Sequence, residues 1–445
     1  MSKNELKKEL GLIPALATVI GVVIGGGVFF KPTAVFSATG APGLGMVAWV
    51  LGGIISIAGG LTAAEISAAI PRTGGMVAYL EEAYGDVWGY LLGWAQTIIY
   101  FPANIAALSI IFATQAVSLL GVSDGMIIPI AIIVTIFLII MNSLGSKTGG
   151  TIQTVATVCK LIPLFAIIIV GLTHGNGGVV RLFPMTAANH PIATSLGSAL
   201  VATMFAYDGW INIGAISGEM KNPAKDLPKA IIGGLALVMV VYLLINVAYL
   251  FVLPATTLAA TSTPASDVAK VIFGQSGGRL ITVGILISIF GGMNGYILTG
   301  MRIPYAMAIE NKLPGSNWLA KVHPKFKTPI NSGILILVIS ILLIFSGKFN
   351  QLTDLLVFVI WIFYVMTFFA VIRLRKDQPN LKRPYKVPFY PIVPIIAIVG
   401  GAYIILNTLV TQPLNAGLGI ILTLIGFPLY KARKNKFVKL EKDND

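Results

Sequence analysis

Apolar runs of about twenty residues recur from one end of this 445-residue chain to the other, among them 127–141 (IIPIAIIVTIFLIIM), 231–253 and 333–346. A hydrocarbon core of roughly 30 Å is crossed by about 20 residues of helix. Twelve segments meet that length, at roughly 11–30, 44–69, 86–119, 126–145, 151–172, 194–218, 231–253, 277–302, 329–346, 354–374, 389–410 and 412–430. The third is long enough to tilt or to project into water. Runs of this length read as membrane helices, so the expected class is all-α and integral to a membrane, with twelve transmembrane helices.

Composition agrees. Only 11% of the residues are charged and 56% are hydrophobic, against about 25% charged in a soluble protein. The net charge of +14 follows a topological pattern. With both termini on one side, 25 Lys and Arg fall on that side, five (Lys31, Arg181, Lys270, Arg279, Lys348) on the other, and Lys160 on neither. The positive-inside rule makes the first side cytoplasmic, and nucleic acid is not needed to explain the basic balance. The one cysteine, Cys159, cannot form an intrachain disulfide and is expected to be a buried thiol. The short charged N-terminus MSKNELKKELGLIP shows no cleavage site for a signal peptide. No large soluble domain is expected, and the tail KARKNKFVKLEKDND reads as a solvated end.

Two of the spans are interrupted. VVIGGGVFFKP (22–32) places Gly25, Gly26 and Gly27 together inside the first, where each glycine weakens a helix by about 1 kcal/mol relative to alanine. Close helix packing is the plain reading of membrane glycines, but three in a row cannot share one packing face. MFAYDGW (204–210) sets Asp208 and Gly209 inside the sixth span. Paired interruptions at corresponding positions of two halves point to a transporter's binding site. The N-terminal end of a half-helix offers N–H groups and partial positive charge to a carboxylate, while unwound carbonyls suit an ammonium. Together they match the backbone of an α-amino acid, and glycine lets that backbone come close.

Lys160, in TVATVCKLIPLF, lies about nine residues into the fifth span, where a charge costs roughly 2.5 kcal/mol or more. Three readings stand: a fixed ammonium bridging the carbonyls of a broken helix, a proton carrier, or a structural lysine paired to backbone. Asp208 is the one obvious intramembrane carboxylate in this reading, and it either contacts substrate or caps freed N–H groups. Tyr242 and Asn294 are possible lining residues or interhelical contacts; Asn246 reads as structural glue.

These residues carry a resemblance. IGGGVF, FAYDGW, EMKNP and FGGMNG, read together over nearly the whole chain, resemble the amino acid–polyamine–organocation superfamily, and within it the L-type amino acid transporters. The bacterial alanine–serine–cysteine exchangers are the nearest likeness. The resemblance implies a LeuT-like fold. Helices 1–5 (residues 1–180) and 6–10 (181–376) form an inverted repeat, followed by helices 11 and 12 (377–430) and a tail (431–445). It implies that Gly25, Gly26 and Gly27 hold a substrate carboxylate, and that Ile24, Phe205, Ala206 and Asp208 serve the amino group and the gate. It also implies that Lys160 occupies the place of a sodium ion. The implied activity is sodium-independent exchange of small neutral L-amino acids by a bacterial plasma-membrane protein; the alternative is proton-coupled symport with Lys160 as carrier. Animal L-type subunits bind a glycoprotein through a cysteine in the loop after helix 3. LLGVSDGM (119–126) has none, so no disulfide-linked heavy subunit is expected.

The remaining features point away from other chemistry. His174, His190 and His323 are scattered in loops, so no metal site is expected, and no cofactor. PRTGG (71–75) and KNPAKDLPKAI read as structural or gating loops, the second ending the sixth span at Pro223. No phosphate-binding loop or nucleophile–base pair occurs, which argues against ATP hydrolysis and enzymatic activity. A channel is disfavoured by the lack of a ring-forming filter motif.

Overall fold

The computed structural model describes residues 11–70, 75–145, 152, 156, 159–174, 185–187, 190–211 and 220–433. The start of the chain, most of PRTGG, most of the first half of the fifth span, Arg181, residues 212–219 with the end of the sixth span, and the tail from 434 lie outside the described residues.

The described elements are helical. In chain order they are α1 (Leu12–Val23), α2 (Gly27–Thr39), α3 (Pro42–Ala69), α4 (Met76–Tyr84), α5 (Asp86–Ala95), α6 (Phe101–Leu120), α7 (Ile127–Ser143), α8 (Leu161–His174) and α9 (Ile192–Ala206). There follow α10 (Pro223–Val252), α11 (Ala255–Ala260), α12 (Pro264–Gly300), α13 (Arg302–Ile309), α14 (Ser316–Leu319), α15 (Ile330–Ile344), α16 (Phe349–Asp377), α17 (Ile392–Thr411) and α18 (Pro413–Leu424). Among the described residues, eight helical stretches are long and apolar enough to cross a membrane, and three shorter apolar helices (Leu161–Thr173, Ile192–Ala206, Ile330–Ile344) accompany them. Large apolar side chains face outward, Leu414 at 84% and Leu280 at 73% exposure. Water would penalise such a surface and lipid does not.

The expected first span is two helices, α1 and α2, separated at Ile24–Gly26. The expected third is one 35-residue stretch, Asp86–Leu120, with a π-helical turn at Gln96–Tyr100 between α5 and α6. Pro223 does not end the sixth span; it opens α10, at a first-turn position where a missing N–H costs nothing. Cys159 is half-buried, where a buried thiol was expected.

The chain divides into two compact units, each assembled from three separated stretches. The first takes Met1–Ala83, Cys159–Ile285 and Trp361–Thr411; the second takes Tyr84–Val158, Leu286–Ile360 and Gln412–Asp445. In the first unit, α3 packs closely on α9 and α10 through small residues. A Cβ on Gly52 would stand 2.7 Å from Thr203 Oγ1, and one on Gly60 2.4 Å from Ile231. Small residues of this kind let membrane helices approach where no hydrophobic effect drives them together.

The same unit holds an ionic clasp. Glu65, near the end of α3 and 2% exposed, accepts Arg375 Nε at 2.7 Å and Nη2 at 2.5 Å. It also accepts the Val387 backbone N–H at 2.7 Å, and Arg383 Nε stands 3.6 Å away. Arg375 lies over the Tyr390 ring at 3.8 Å. The segment after α16 is thereby stitched to α3. The burial and the Glu65 charge push the nearby Tyr385 hydroxyl above its ordinary pKa. Glu65 falls within the expected second span, so Asp208 is not the only intramembrane carboxylate, as the sequence reading held.

In the second unit, Ala106, Ala107, Ile110, Ala113, Ala131, Ile344 and Leu352 form an apolar core. Ser109 and Thr135 share a hydrogen bond of 2.6 Å between α6 and α7, and Trp94 Nε1 donates to the Leu422 carbonyl at 2.9 Å.

Candidate functional site

The two interruptions meet inside the first unit. α1 ends at Val23, Ile24 is extended (φ −69°, ψ 93°), and α2 starts with Gly26 as its N-cap. α9 ends at Ala206, after which Gly209 takes the left-handed φ of 103° that glycine tolerates and L-residues resist. A Cβ on Gly27 would stand 2.7 Å from the Ala206 Cα, so backbone meets backbone there. Gly25 is different: a Cβ would meet only the Val23 carbonyl oxygen, at 3.9 Å. None of Gly25, Gly26 and Gly27 needs a positive φ. Gly27 answers to packing, then, and Gly25 leaves space.

Tyr242 of α10 ties the two ends together. Its hydroxyl lies 2.9 Å from the Val23 carbonyl oxygen and 2.8 Å from that of Ala206. A hydroxyl has one proton to donate, so it serves one of the two carbonyls at a time. Beneath it, Trp49, Tyr207 and Tyr242 pack edge to face or tilted, with centroids 5.0 to 6.1 Å apart, and Tyr207 donates to the Trp49 carbonyl at 3.0 Å. This cluster holds the α9 end in place.

Lys160, 5% exposed and immediately before α8, donates to the Gly21 carbonyl of α1. Gly21 lies in the last turn of α1, where carbonyls lack intrahelical partners and the helix dipole favours a cation. Asp208 is buried and accepts Tyr364 Oη at 2.9 Å, which directs one carboxylate oxygen toward α16. Phe205 and Ile24 are buried beside the break. Lys31, which sequence reading counts with the outer loops, is fully buried in α2 with its Nζ 5.1 Å from the centroid of the Phe205 ring.

Asn294 belongs to the second unit, where its side-chain oxygen accepts Asn142 Nδ2 at 2.9 Å. Asn246 donates to the Tyr242 carbonyl four residues back, a bond within its own helix. His190 pairs with the Ala38 carbonyl at 3.0 Å and His323 stacks on Phe326. Sequence reasoning missed the roles of Lys31 and Glu65, though a charged residue inside an apolar run is a signal in its own right.

Comparison with known proteins agrees with a chain built of many apolar helices. A family model described as amino acid permease matches residues 10–429. The serine/threonine exchanger SteT of Bacillus subtilis is 45% identical over 97% of this chain and 98% of its own length. The Asc-type amino acid transporter 1 of Mus musculus is 31% identical over 96% of this chain and 81% of its own. The large neutral amino acids transporter small subunit 2 of Homo sapiens is 29% identical over 96% of this chain and 80% of its own. The chain belongs to the amino acid permease family, a family of multi-pass membrane transporters.

Proposed function

We propose that this chain exchanges small neutral L-amino acids across the membrane by alternating access, without sodium. One observation carries the reading: the end of α1, the start of α2 and the end of α9 converge at Tyr242. The start of α2 supplies N–H groups and partial positive charge for a carboxylate, with Gly25 leaving room for it. The Val23 and Ala206 carbonyls, sharing one Tyr242 proton, keep acceptor capacity for an ammonium. Lys160 on the Gly21 carbonyl steadies α1 at the place where a sodium-coupled transporter would hold its ion. Phe205 and Ile24 flank the ligand, and Asp208 acts through Tyr364 more than on substrate. Serine is the substrate to test first, since it lies within the expected alanine–serine–cysteine set and in the name of the Bacillus relative.

The chain crosses the membrane twelve times, with inverted repeats over 1–180 and 181–376, two further helices over 377–430 and both termini cytoplasmic. The chain works without a disulfide-linked subunit.

Labelled L-serine uptake into proteoliposomes tests it, with and without internal serine and with and without an inward proton gradient, in sodium-free buffer. Uptake only into loaded vesicles, indifferent to the gradient, is expected. Gradient-driven uptake into empty vesicles would replace it with proton symport and make Lys160 the first residue to test as proton carrier.

A further inference from the structure

Four charged side chains are buried among the described residues: Lys31, Glu65, Lys160 and Asp208. Arg375 and Arg383 neutralise Glu65. The other three lie at or beside the break, and their sum is one positive charge. The reading above, on which this inference rests, gives Lys160 a role and assigns none to Lys31.

Lys31 stands four residues after Gly27 in α2, and positions four apart share a helix face. Gly27 meets Ala206, so Lys31 runs along the last turn of α9 and brings its ammonium over the Phe205 ring. The negative face of an aromatic ring attracts such a cation, more strongly when both are removed from water. A fixed positive charge is thereby seated next to the segment that takes the substrate's amino group. A zwitterion adds no net charge to this balance, but a substrate with an ammonium side chain does. At an effective dielectric of about 20 and a separation of about 10 Å, two like charges repel enough for roughly tenfold discrimination.

We propose that Lys31 is a specificity-determining residue: its ammonium, seated on the Phe205 ring, makes the site reject amino acids with cationic side chains and admit neutral ones. Serine and 2,3-diaminopropionate test this closely in mildly acidic buffer, where both amines of the latter are protonated despite their mutual repulsion, because they then differ by a hydroxyl against an ammonium on the same carbon. Each is used to compete with labelled serine in exchange. Each is also used to stabilise the detergent-solubilised protein against heat, which reads binding without transport.

In the wild-type protein, 2,3-diaminopropionate is expected to act about tenfold more weakly than serine. Lys31→Met should bring the two within about threefold of each other with a smaller change in the KM for serine, while Lys31→Arg keeps the wild-type ratio. Lys31→Gln gives the same readout should Lys31→Met fail to fold. Equal potency in the wild-type protein overturns the proposal, and so does an unchanged ratio in a folded neutral variant. Absence of serine exchange in the wild-type protein would strike the exchanger reading, while the ratio of thermal stabilisation still decides on Lys31.

Discussion

Glu65 and the paired helix break are two buried polar regions of the same unit, and they balance donors against acceptors in opposite ways. The Glu65 carboxylate is saturated: Arg375 gives it two N–H groups, Val387 a third, and Arg383 stands near. At the break, two carbonyls share the one proton of Tyr242, and the first turn of α2 opens beside them. A saturated carboxylate has no capacity left for a ligand and serves as an anchor, since an unpaired charge there would be costly. An acceptor-rich break keeps capacity, which is what a site for an ammonium requires. The difference separates polar residues that hold the fold from those proposed above to meet a ligand, in a region where both kinds are equally buried.

The clasp is the costlier of the two regions to disturb. Glu65→Ala leaves two arginines without their carboxylate and should lower stability by about 3 kcal/mol, read as a fall in the unfolding midpoint in detergent. Exchange per folded molecule should stay within about twofold of wild type. A selective loss of exchange with unchanged stability would move Glu65 from anchor to site.

Next in size is Gly27→Ala, whose Cβ would press on the Ala206 backbone. Overpacking of that kind costs about 1–3 kcal/mol and should appear in the same unfolding measurement. Tyr242→Phe removes the shared proton and keeps the ring. A lost hydrogen bond of about 1 kcal/mol corresponds to roughly fivefold, expected mainly in the KM for serine. The smallest change in stability belongs to Gly25→Ala, because its Cβ meets only the Val23 carbonyl at 3.9 Å. Unfolding should shift by less than about 0.5 kcal/mol, while serine affinity falls. Unaltered affinity in that variant would remove the carboxylate role from Gly25.

Much of this was legible in the chain. The apolar runs announced membrane helices, and contiguous glycines announced that the first of them stops. Lys160 stood out because a charge far from any span end has few explanations. Other residues could not be read this way. Arg375 and Arg383 look like ordinary positive-inside residues until Glu65 is seen to collect them. Lys31 lies near an expected span end, where a lysine would normally reach for water, and only the packing of α2 on α9 shows it buried on Phe205. The three glycines share one letter, yet one packs on backbone and another faces space.

Local chemistry along the chain settles what each stretch can do: which runs suit lipid, and where a helix must break. These follow from hydrophobicity and backbone propensity, which act over a few consecutive residues. Only the packed chain shows which broken ends meet, that Tyr242 lies between them, and that Glu65 is consumed by arginines some three hundred positions away. Those pairings rest on close approach between distant helices, and no local pattern in the chain encodes a distance.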